Sequence, residues 1–190
     1  MIFDGELAVD CVIGIDPGKS GGIAVYTKAD GMARVVKMPT SAEDLGELLD
    51  YYKENYHPIV FLEKLSIRKE DAATPGKIFG IQKLMANFEQ LKTVLELAGI
   101  PYCMVHPLSW EHKLGLRIKG RKEKKNERKK RYAVYAGELY PGIRATLWNG
   151  DALLIMHFGR VQLANDMNWV LSNLPERERG KLFSGQNGAF

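Results

Sequence analysis

An acidic residue at the end of the first apolar run constrains the fold of this chain more than any other feature. The run from Cys11 to Asp16 is β-branched and apolar, which predicts a buried strand. Pro17 and Gly18 then turn the chain into a second apolar run that begins at Gly21. A carboxylate in this position is costly unless it is paired or bound to a metal. The segment therefore predicts a functional strand-turn-strand unit, and a simple Asx-type turn at Asp16 is the alternative.

The glycine-rich turn does not have the spacing of a nucleotide-binding loop. A Walker A loop has four residues between its first glycine and Gly-Lys-Ser, whereas only three separate Gly14 from Gly18. A P-loop also opens a helix, but Gly21 to Val25 has a strand pattern. Both requirements fail, so an ordinary P-loop nucleoside triphosphatase is excluded.

The pattern of the whole chain predicts one α/β domain with a five-stranded mixed sheet flanked by helices. Further strands are predicted at 21–27, 34–38, 59–63 and 101–105, and helices at 41–56, 78–98, 127–139 and 150–158. Ser41 is an expected N-cap, and Gly99 ends the longest amphipathic run. Residues 66–76 are predicted to form a loop. The order β-β-β-α-β-α-β-α-α indicates an antiparallel start followed by parallel strands.

Other features predict the setting of the protein. The chain beyond Pro175 is polar and glycine-rich, so we expect its last 15 residues or so to be disordered. No apolar run approaches the roughly 18 residues of a membrane span, and the N-terminus lacks the basic region of a signal peptide. Cys11 and Cys103 are expected to be buried free thiols in a reducing compartment. These features favour a protein of the cytoplasm or of an organelle over a secreted or membrane protein.

Positive charge is concentrated in one segment. The formal net charge is +4, yet the 19 residues from Lys113 to Arg131 hold eleven Lys or Arg and two Glu, a local charge of +9. A solvated surface is the usual reason for a charge run. This imbalance instead predicts a polyanionic partner such as a phosphate backbone.

Two further acids are placed in the same way as Asp16. Glu63 ends the fourth apolar strand, and Asp151 opens the last apolar helix. A solvent-exposed Glu63 and a helix-capping Asp151 are the alternatives. Carboxylates at strand ends can converge at one sheet edge. Together the three acids, without histidine or thiolate, favour Mg²⁺ or Mn²⁺, and two such ions can drive phosphodiester hydrolysis.

Taken in order, these residues resemble the RuvC-type Holliday-junction resolvases of the RNase H-like superfamily, particularly the members from phages and organelles. The matching pieces span roughly residues 12–160 and are Gly14-Ile15-Asp16-Pro17-Gly18, Ser20-Gly21-Gly22, Phe61-Leu62-Glu63, His106-Pro107-Leu108-Ser109-Trp110, Lys125, Tyr140-Pro141 and Asp151-Ala152-Leu153-Leu154-Ile155. The ordered set is more specific than any single piece.

The resemblance implies an RNase H-like nuclease domain at 1–160, followed by a C-terminal helix and tail at 161–190. It implies a homodimer that nicks branched double-stranded DNA symmetrically with Mg²⁺ (or Mn²⁺) and two ions per site, without a small-molecule cofactor. Catalytic and metal-ligand roles fall on Asp16, Glu63 and Asp151. The helix at 78–98 would join the dimer interface, and the 66–76 loop would lie near the junction centre. The expected DNA contacts are Lys119, Arg121, Lys122, Lys124, Lys125, Arg128 and Lys129.

One metal ligand of the family pattern is missing. An acid or histidine is usual three or four residues before the position of Asp151, where this chain has Trp148 and Leu147. Asn149, Glu138 or a water is the expected replacement. A branched-DNA-binding protein with a degraded metal site is therefore the alternative function. A sugar- or acetate-kinase-like ATPase begins with a similar Asp-Gly turn, but 190 residues leave no room for its second half.

Overall fold

The sheet of the protein is mixed and five-stranded, as the sequence predicted. A computed structural model describes residues 7–18, 20–65, 74–118 and 123–183. The strands in these ranges pair in the order β3-β2-β1-β4-β5, with β1 antiparallel to β2, β2 antiparallel to β3, and β4 parallel to both β1 and β5. Their bounds are β1 Cys11–Asp16, β2 Gly22–Thr27, β3 Ala33–Lys37, β4 Pro58–Glu63 and β5 Tyr102–Val105.

The helices cover both faces of this sheet. In the described ranges they are α1 Ala42–Asn55, α2 Pro75–Ala98, α3 Pro107–Lys113, α4 Lys125–Leu139, α5 Gly150–Asn165, α6 Met167–Asn173 and α7 Glu176–Arg179, followed by a short 3-10 turn at Gly180–Leu182. The predicted N-cap is confirmed because the Ser41 side chain accepts a hydrogen bond from the Asp44 amide. Gly99 ends α2 in the left-handed conformation, also as predicted.

Several helices differ from the sequence prediction. Helix α3 was not predicted, because Pro107 was interpreted as only the end of β5; proline is compatible with a first helical turn, and His106 caps this one. Helix α2 begins at Pro75, so only 66–73 of the predicted loop remain, and these lie outside the described residues. Helix α5 continues to Asn165, past its predicted end at residue 158.

The chain beyond Pro175 is ordered further than the sequence predicted. Disorder from this point is wrong as far as Phe183, because α7 and the 3-10 turn follow Pro175 directly. Leu182 is fully buried in the same apolar cluster as Val170, and Phe183 forms a bridge with Leu7. Burial of Leu182 thus anchors the segment. The predicted disorder of 184–190 falls outside the described residues.

Side chains of the sheet alternate between two cores. On one face, residues such as Val12 and Phe61 pack against α4, α5 and α6. On the other face, residues such as Ile13 and Leu62 pack against α1 and α2. Both cysteines are buried free thiols, as predicted. None of the helices in the described residues is long and apolar enough to cross a membrane.

Helix α5 lies unusually close to the sheet at two glycines. A Cβ on Gly14 of β1 would lie 2.3 Å from the Met156 backbone nitrogen and 2.5 Å from the Ala152 carbonyl oxygen. A Cβ on Gly159 would lie 2.4 Å from the ring of Phe61. Real Cβ atoms do not approach neighbours so closely, so both positions require glycine. These contacts fix the distance between α5 and the strand that carries Asp16.

Candidate active site

Strand pairing brings Asp16 and Glu63 to the same edge of the sheet. Strands β1 and β4 are parallel, with Ile15 opposite Leu62, so the next residues along the two strands are Asp16 and Glu63. Neighbouring strands lie about 4.8 Å apart, which keeps these residues adjacent. Asp16 is buried and Glu63 is half-buried. The carboxyl ends of parallel strands are where α/β sheets usually place their ligands.

Asp151 joins this pair from the first turn of α5. The close contact at Gly14 holds the start of α5 against β1, and Asp16 lies two residues further along the same face of that strand. Asp151 is buried, and its carboxylate interacts electrostatically with both Asp16 and Glu63. The structure therefore brings together all three acids that the sequence singled out.

A fourth charged group, Lys129, lies among the acids. A Cβ on Gly150 would lie 3.1 Å from the Ala133 Cα, so α4 and α5 are in close contact there. Lys129 precedes Ala133 by one turn on the same face of α4. Its Nζ lies 2.9 Å from Oδ2 of Asp151 and 3.5 Å from Oδ2 of Asp16. The lysine ammonium thus bridges two of the three acids.

Burial and mutual repulsion shift the pKa values of the site. Burial raises the pKa of Glu63 to about 8, and the neighbouring Asp16 carboxylate contributes in the same direction. Burial and then the Asp151 carboxylate also raise the pKa of Asp16, against the opposing effect of Lys129. Burial of the Lys129 ammonium opposes its protonation, but the carboxylates of Asp151 and Asp16 raise its pKa above the ordinary value. A cluster of this kind favours an additional cation.

Trp110 orients the Glu63 side chain. Its indole Nε1 donates a hydrogen bond of 2.9 Å to Oε1 of Glu63. Trp110 is buried in α3 and packs edge to face on Tyr132 of α4, with ring centroids 5.2 Å apart. This hydrogen bond engages Oε1 and not Oε2 of Glu63. Through Trp110, the position of the acid depends on both α3 and α4.

The donor set fits a divalent cation, although it is not closed around one. In the described ranges, no three Asp, Glu, His or Cys side chains form a group ready to hold a metal. The oxygen Oδ1 of Asp151 is nevertheless buried and has no hydrogen-bond partner among the described residues. A buried orphan oxygen is costly unless a cation or water satisfies it. Hard carboxylate oxygens of this kind suit Mg²⁺ or Mn²⁺.

Neither candidate for the missing ligand is available as a protein group. The Asn149 side-chain oxygen accepts hydrogen bonds from the amide and hydroxyl of Thr146, and its Nδ2 donates to the Arg144 carbonyl. Glu138 is exposed. It follows Lys129 by nine residues on α4, so it lies about 13.5 Å further along the helix axis and on the opposite face of the helix. In this structure a water is therefore the remaining one of the three expected replacements. The ring of Trp148 packs against Gly22.

The seven residues predicted to contact DNA do not share one environment. Three of the seven lie outside the described residues: Lys119, Arg121 and Lys122. Lys124 and Lys125 are exposed at the start of α4. The Arg128 Nε lies 4.0 Å from Oε1 of Glu111, and Lys129 points to the acids instead of outward.

Arg131 belongs to the basic segment but has a structural contact. It donates to both carboxylate oxygens of Glu123, at 3.0 and 2.7 Å, and to the Leu116 carbonyl. Arg131 is therefore held within the fold by a partner from its own segment.

The sequence interpretation missed the roles of Trp110 and Lys129 in the site. Trp110 carried no chemical signal beyond its place in the family-like motif. Lys129 did carry one, because it lies three, four and seven residues before Tyr132, Ala133 and Ala136. These are the residues with which α4 packs against its neighbours, so helical spacing places Lys129 on the inner face.

No family model and no curated protein matches the sequence. Among solved structures, Thermus thermophilus RuvC in complex with a Holliday junction substrate is similar to this chain at 18% identity, covering 82% of this chain and 96% of that one with a TM-score of 0.52. The structure of Thermus thermophilus RuvC alone is 17% identical in sequence, with 86% of this chain and 98% of that one covered and a TM-score of 0.49. The yeast mitochondrial Holliday junction resolvase Ydc2 is 17% identical in sequence, with 87% of this chain and 85% of that one covered and a TM-score of 0.39.

The first of these similarities identifies the class of fold. The chain has the fold of RuvC, an α/β fold of the RNase H-like type, as the resemblance in the sequence implied.

Proposed function

We propose that this protein is a metal-dependent endonuclease that resolves branched DNA. The observation that carries the proposal is the convergence of Asp16, Glu63 and Asp151 at one sheet edge beside the basic start of α4. A similar structure, that of Thermus thermophilus RuvC, contains a Holliday junction substrate, which supports this class of substrate.

The three acids would hold Mg²⁺ or Mn²⁺. When bound, such an ion activates water and stabilises the charge that develops on the phosphate. The protein contributes buried carboxylates in fixed positions, with Glu63 held by Trp110 and Asp151 held by the glycine contacts of α5. Because burial raises the pKa of Glu63, metal binding at this carboxyl would be coupled to release of its proton.

Lys124 and Lys125 are the best placed of the described residues to contact phosphate. They begin α4, where positive side chains oppose the helix dipole and no side-chain cap is present. A phosphate at this position would relieve that repulsion and accept from the free amides of the first turn. Lys119, Arg121 and Lys122 precede them in sequence and would extend the same surface. Binding of this kind weakens steeply with salt.

A homodimer would supply the second site that paired nicks require. The first half of α2 carries exposed apolar side chains, with Ile78, Phe79 and Met85 exposed by 43%, 70% and 48%. In the described part of that helix the buried residues begin only at Phe88. Clustered apolar exposure on one helix suits a protein interface, and we assign it to a second copy of this chain.

Cleavage of a synthetic four-way DNA junction tests the proposal. We expect nicks with Mg²⁺ and none with EDTA. Asp16→Asn should reduce the cleavage rate by at least about 100-fold and retain junction binding, because it removes a ligand charge and no phosphate contact. Asp50→Asn, an equal change at an exposed position of α1, is the matched control and should cleave normally.

Two results would contradict the assignment. If the Asp16→Asn protein cleaved the junction at the wild-type rate, the catalytic role assigned to Asp16 would be wrong. Junction binding by the wild-type protein without nicks in Mg²⁺ or Mn²⁺ would favour the non-catalytic branched-DNA-binding protein. That second candidate is favoured by one observation, the absence of an acid or histidine at Leu147 and Trp148.

A further inference from the structure

The charge within the acid cluster is already partly balanced by the protein itself. Three carboxylates meet at the site, and the Lys129 ammonium lies within contact distance of two of them. Only 19% of the Lys129 side chain is exposed, so it is held in the site and does not extend into solvent. A lysine in this place occupies a position that a second metal ion would require.

Three of the six carboxylate oxygens at the site contact protein groups, two of them the Lys129 ammonium and one the Trp110 indole. Oδ2 of Asp16 and Oδ2 of Asp151 contact the ammonium, and Oε1 of Glu63 accepts from the Trp110 indole. Each acid therefore keeps one further oxygen. Of these, Oδ1 of Asp151 is buried without a partner within the described part of the chain. Three oxygens, one from each acid, are the protein ligands of a single ion that completes its shell with water.

In the described part of the chain, neither Trp148 nor Asn149 replaces the fourth acidic ligand. Trp148 packs on Gly22, and the Asn149 amide is fully engaged with Thr146 and Arg144. Two ions held about 4 Å apart need more carboxylate oxygens than three acids can give once Lys129 has taken its share. The loss of one acid and the presence of Lys129 each make the site more positive by one charge, and together they equal the charge of one divalent ion.

We infer that this site binds one divalent ion and that Lys129 supplies the second positive charge in place of a second ion. The inference rests on the proposed nuclease function and replaces the two-ion arrangement expected from the family resemblance. It also changes the role of Lys129, which was expected to contact DNA in the manner of its neighbours. Its ammonium would balance the acids and face the phosphate that is cleaved.

Isothermal titration of the metal-stripped, full-length protein with Mn²⁺ measures the number of ions directly. We expect one ion per chain. Two ions per chain would overturn the inference and leave the proposed function intact. No binding at all would contradict the proposed function together with the inference, so the two failures are distinguishable.

Lys129→Met and Lys130→Met form a matched pair for the second test. Both remove one positive charge from α4, but Lys130 is exposed and makes no ion pair with Asp16 or Asp151 in the described structure. Lys129→Met should take up a second Mn²⁺ ion, or bind the first at least 10-fold more tightly, whereas Lys130→Met should resemble the wild type. Unchanged Mn²⁺ binding in a folded Lys129→Met protein would overturn the inference. Lys129→Arg keeps the charge and should retain one ion.

Discussion

The two faces of the sheet are covered by helices of opposite character. Helix α5 is buried along most of its length, and ten of its sixteen residues are buried. Helix α2 is longer, yet its buried residues, Phe88, Leu91, Leu95 and Ala98, all lie in its second half. The comparison shows that the chain fixes one helix tightly where an acid must be positioned. It leaves the first half of α2 exposed, and we assign a second copy of this chain as the partner of that surface.

The difference originates in small residues as much as in apolar ones. Gly14 and Gly159 let α5 approach the sheet until backbone atoms are in contact, and this approach sets the place of Asp151. On α2, a Cβ added at Gly76 or Gly80 would meet nothing within 4 Å. Close packing is thus confined to the face that carries the acids.

The largest expected effect comes from adding one methyl group beneath α5. Gly14→Ala should lower the free energy of unfolding by more than about 3 kcal/mol, because its Cβ would clash with backbone atoms that cannot move aside. The same change at Gly46, inside α1 with open space around it, should raise stability by up to about 1 kcal/mol. Urea unfolding of the two variants measures both values. Equal effects would show that α5 is not held by this contact.

An intermediate effect should follow from pH on the same face. The folded protein raises the pKa of Glu63 from 4.5 to about 8, so between these values the folded state binds more protons than the unfolded state. The stabilising effect of this proton is complete below about pH 4.5 and is lost as the pH rises through about 8. In EDTA, Glu63→Gln should therefore lose about 3 kcal/mol less stability than the wild type between pH 5 and 8. Parallel pH profiles for the two proteins would refute this account.

The smallest effect on stability should come from the exposed half of α2. Phe79→Ala should change the free energy of unfolding of the monomer by less than about 0.5 kcal/mol, since 70% of Phe79 is exposed. Phe88→Ala, nine residues further along the same helix, should cost about 3 to 5 kcal/mol because Phe88 is buried. Analytical ultracentrifugation should show that Phe79→Ala weakens self-association. If Phe79→Ala self-associated as strongly as the wild type, the exposed half of α2 would not be part of the dimer interface.

The sequence predicted the sheet and the place of the acids for the same physical reason. Strands β1 and β4 are apolar runs that end abruptly in Asp16 and Glu63, so one pattern marks both the element and the side chain at its end. The start of α5 at Asp151 was readable because Asn149-Gly150 precedes a long apolar run.

Features that depend on contacts between distant residues were not predictable in this way. The end of α5 was placed too early because Gly159 and Arg160 follow its apolar run; in the structure Gly159 continues the helix and lies beneath the Phe61 ring. Lys129 was grouped with the basic segment because ten other positive side chains surround it in sequence. Only the packing of α4 on α5 separates it from them.

The central claim is that Asp16, Glu63 and Asp151 hold a divalent metal. Anomalous diffraction from crystals soaked in Mn²⁺ tests it most directly, because the signal locates the ion without reference to activity. We predict one strong peak at about 2.0 to 2.3 Å from an oxygen of each of the three acids, beside the Lys129 ammonium. The absence of a peak between these acids, while the crystals bind Mn²⁺ elsewhere, would contradict the claim.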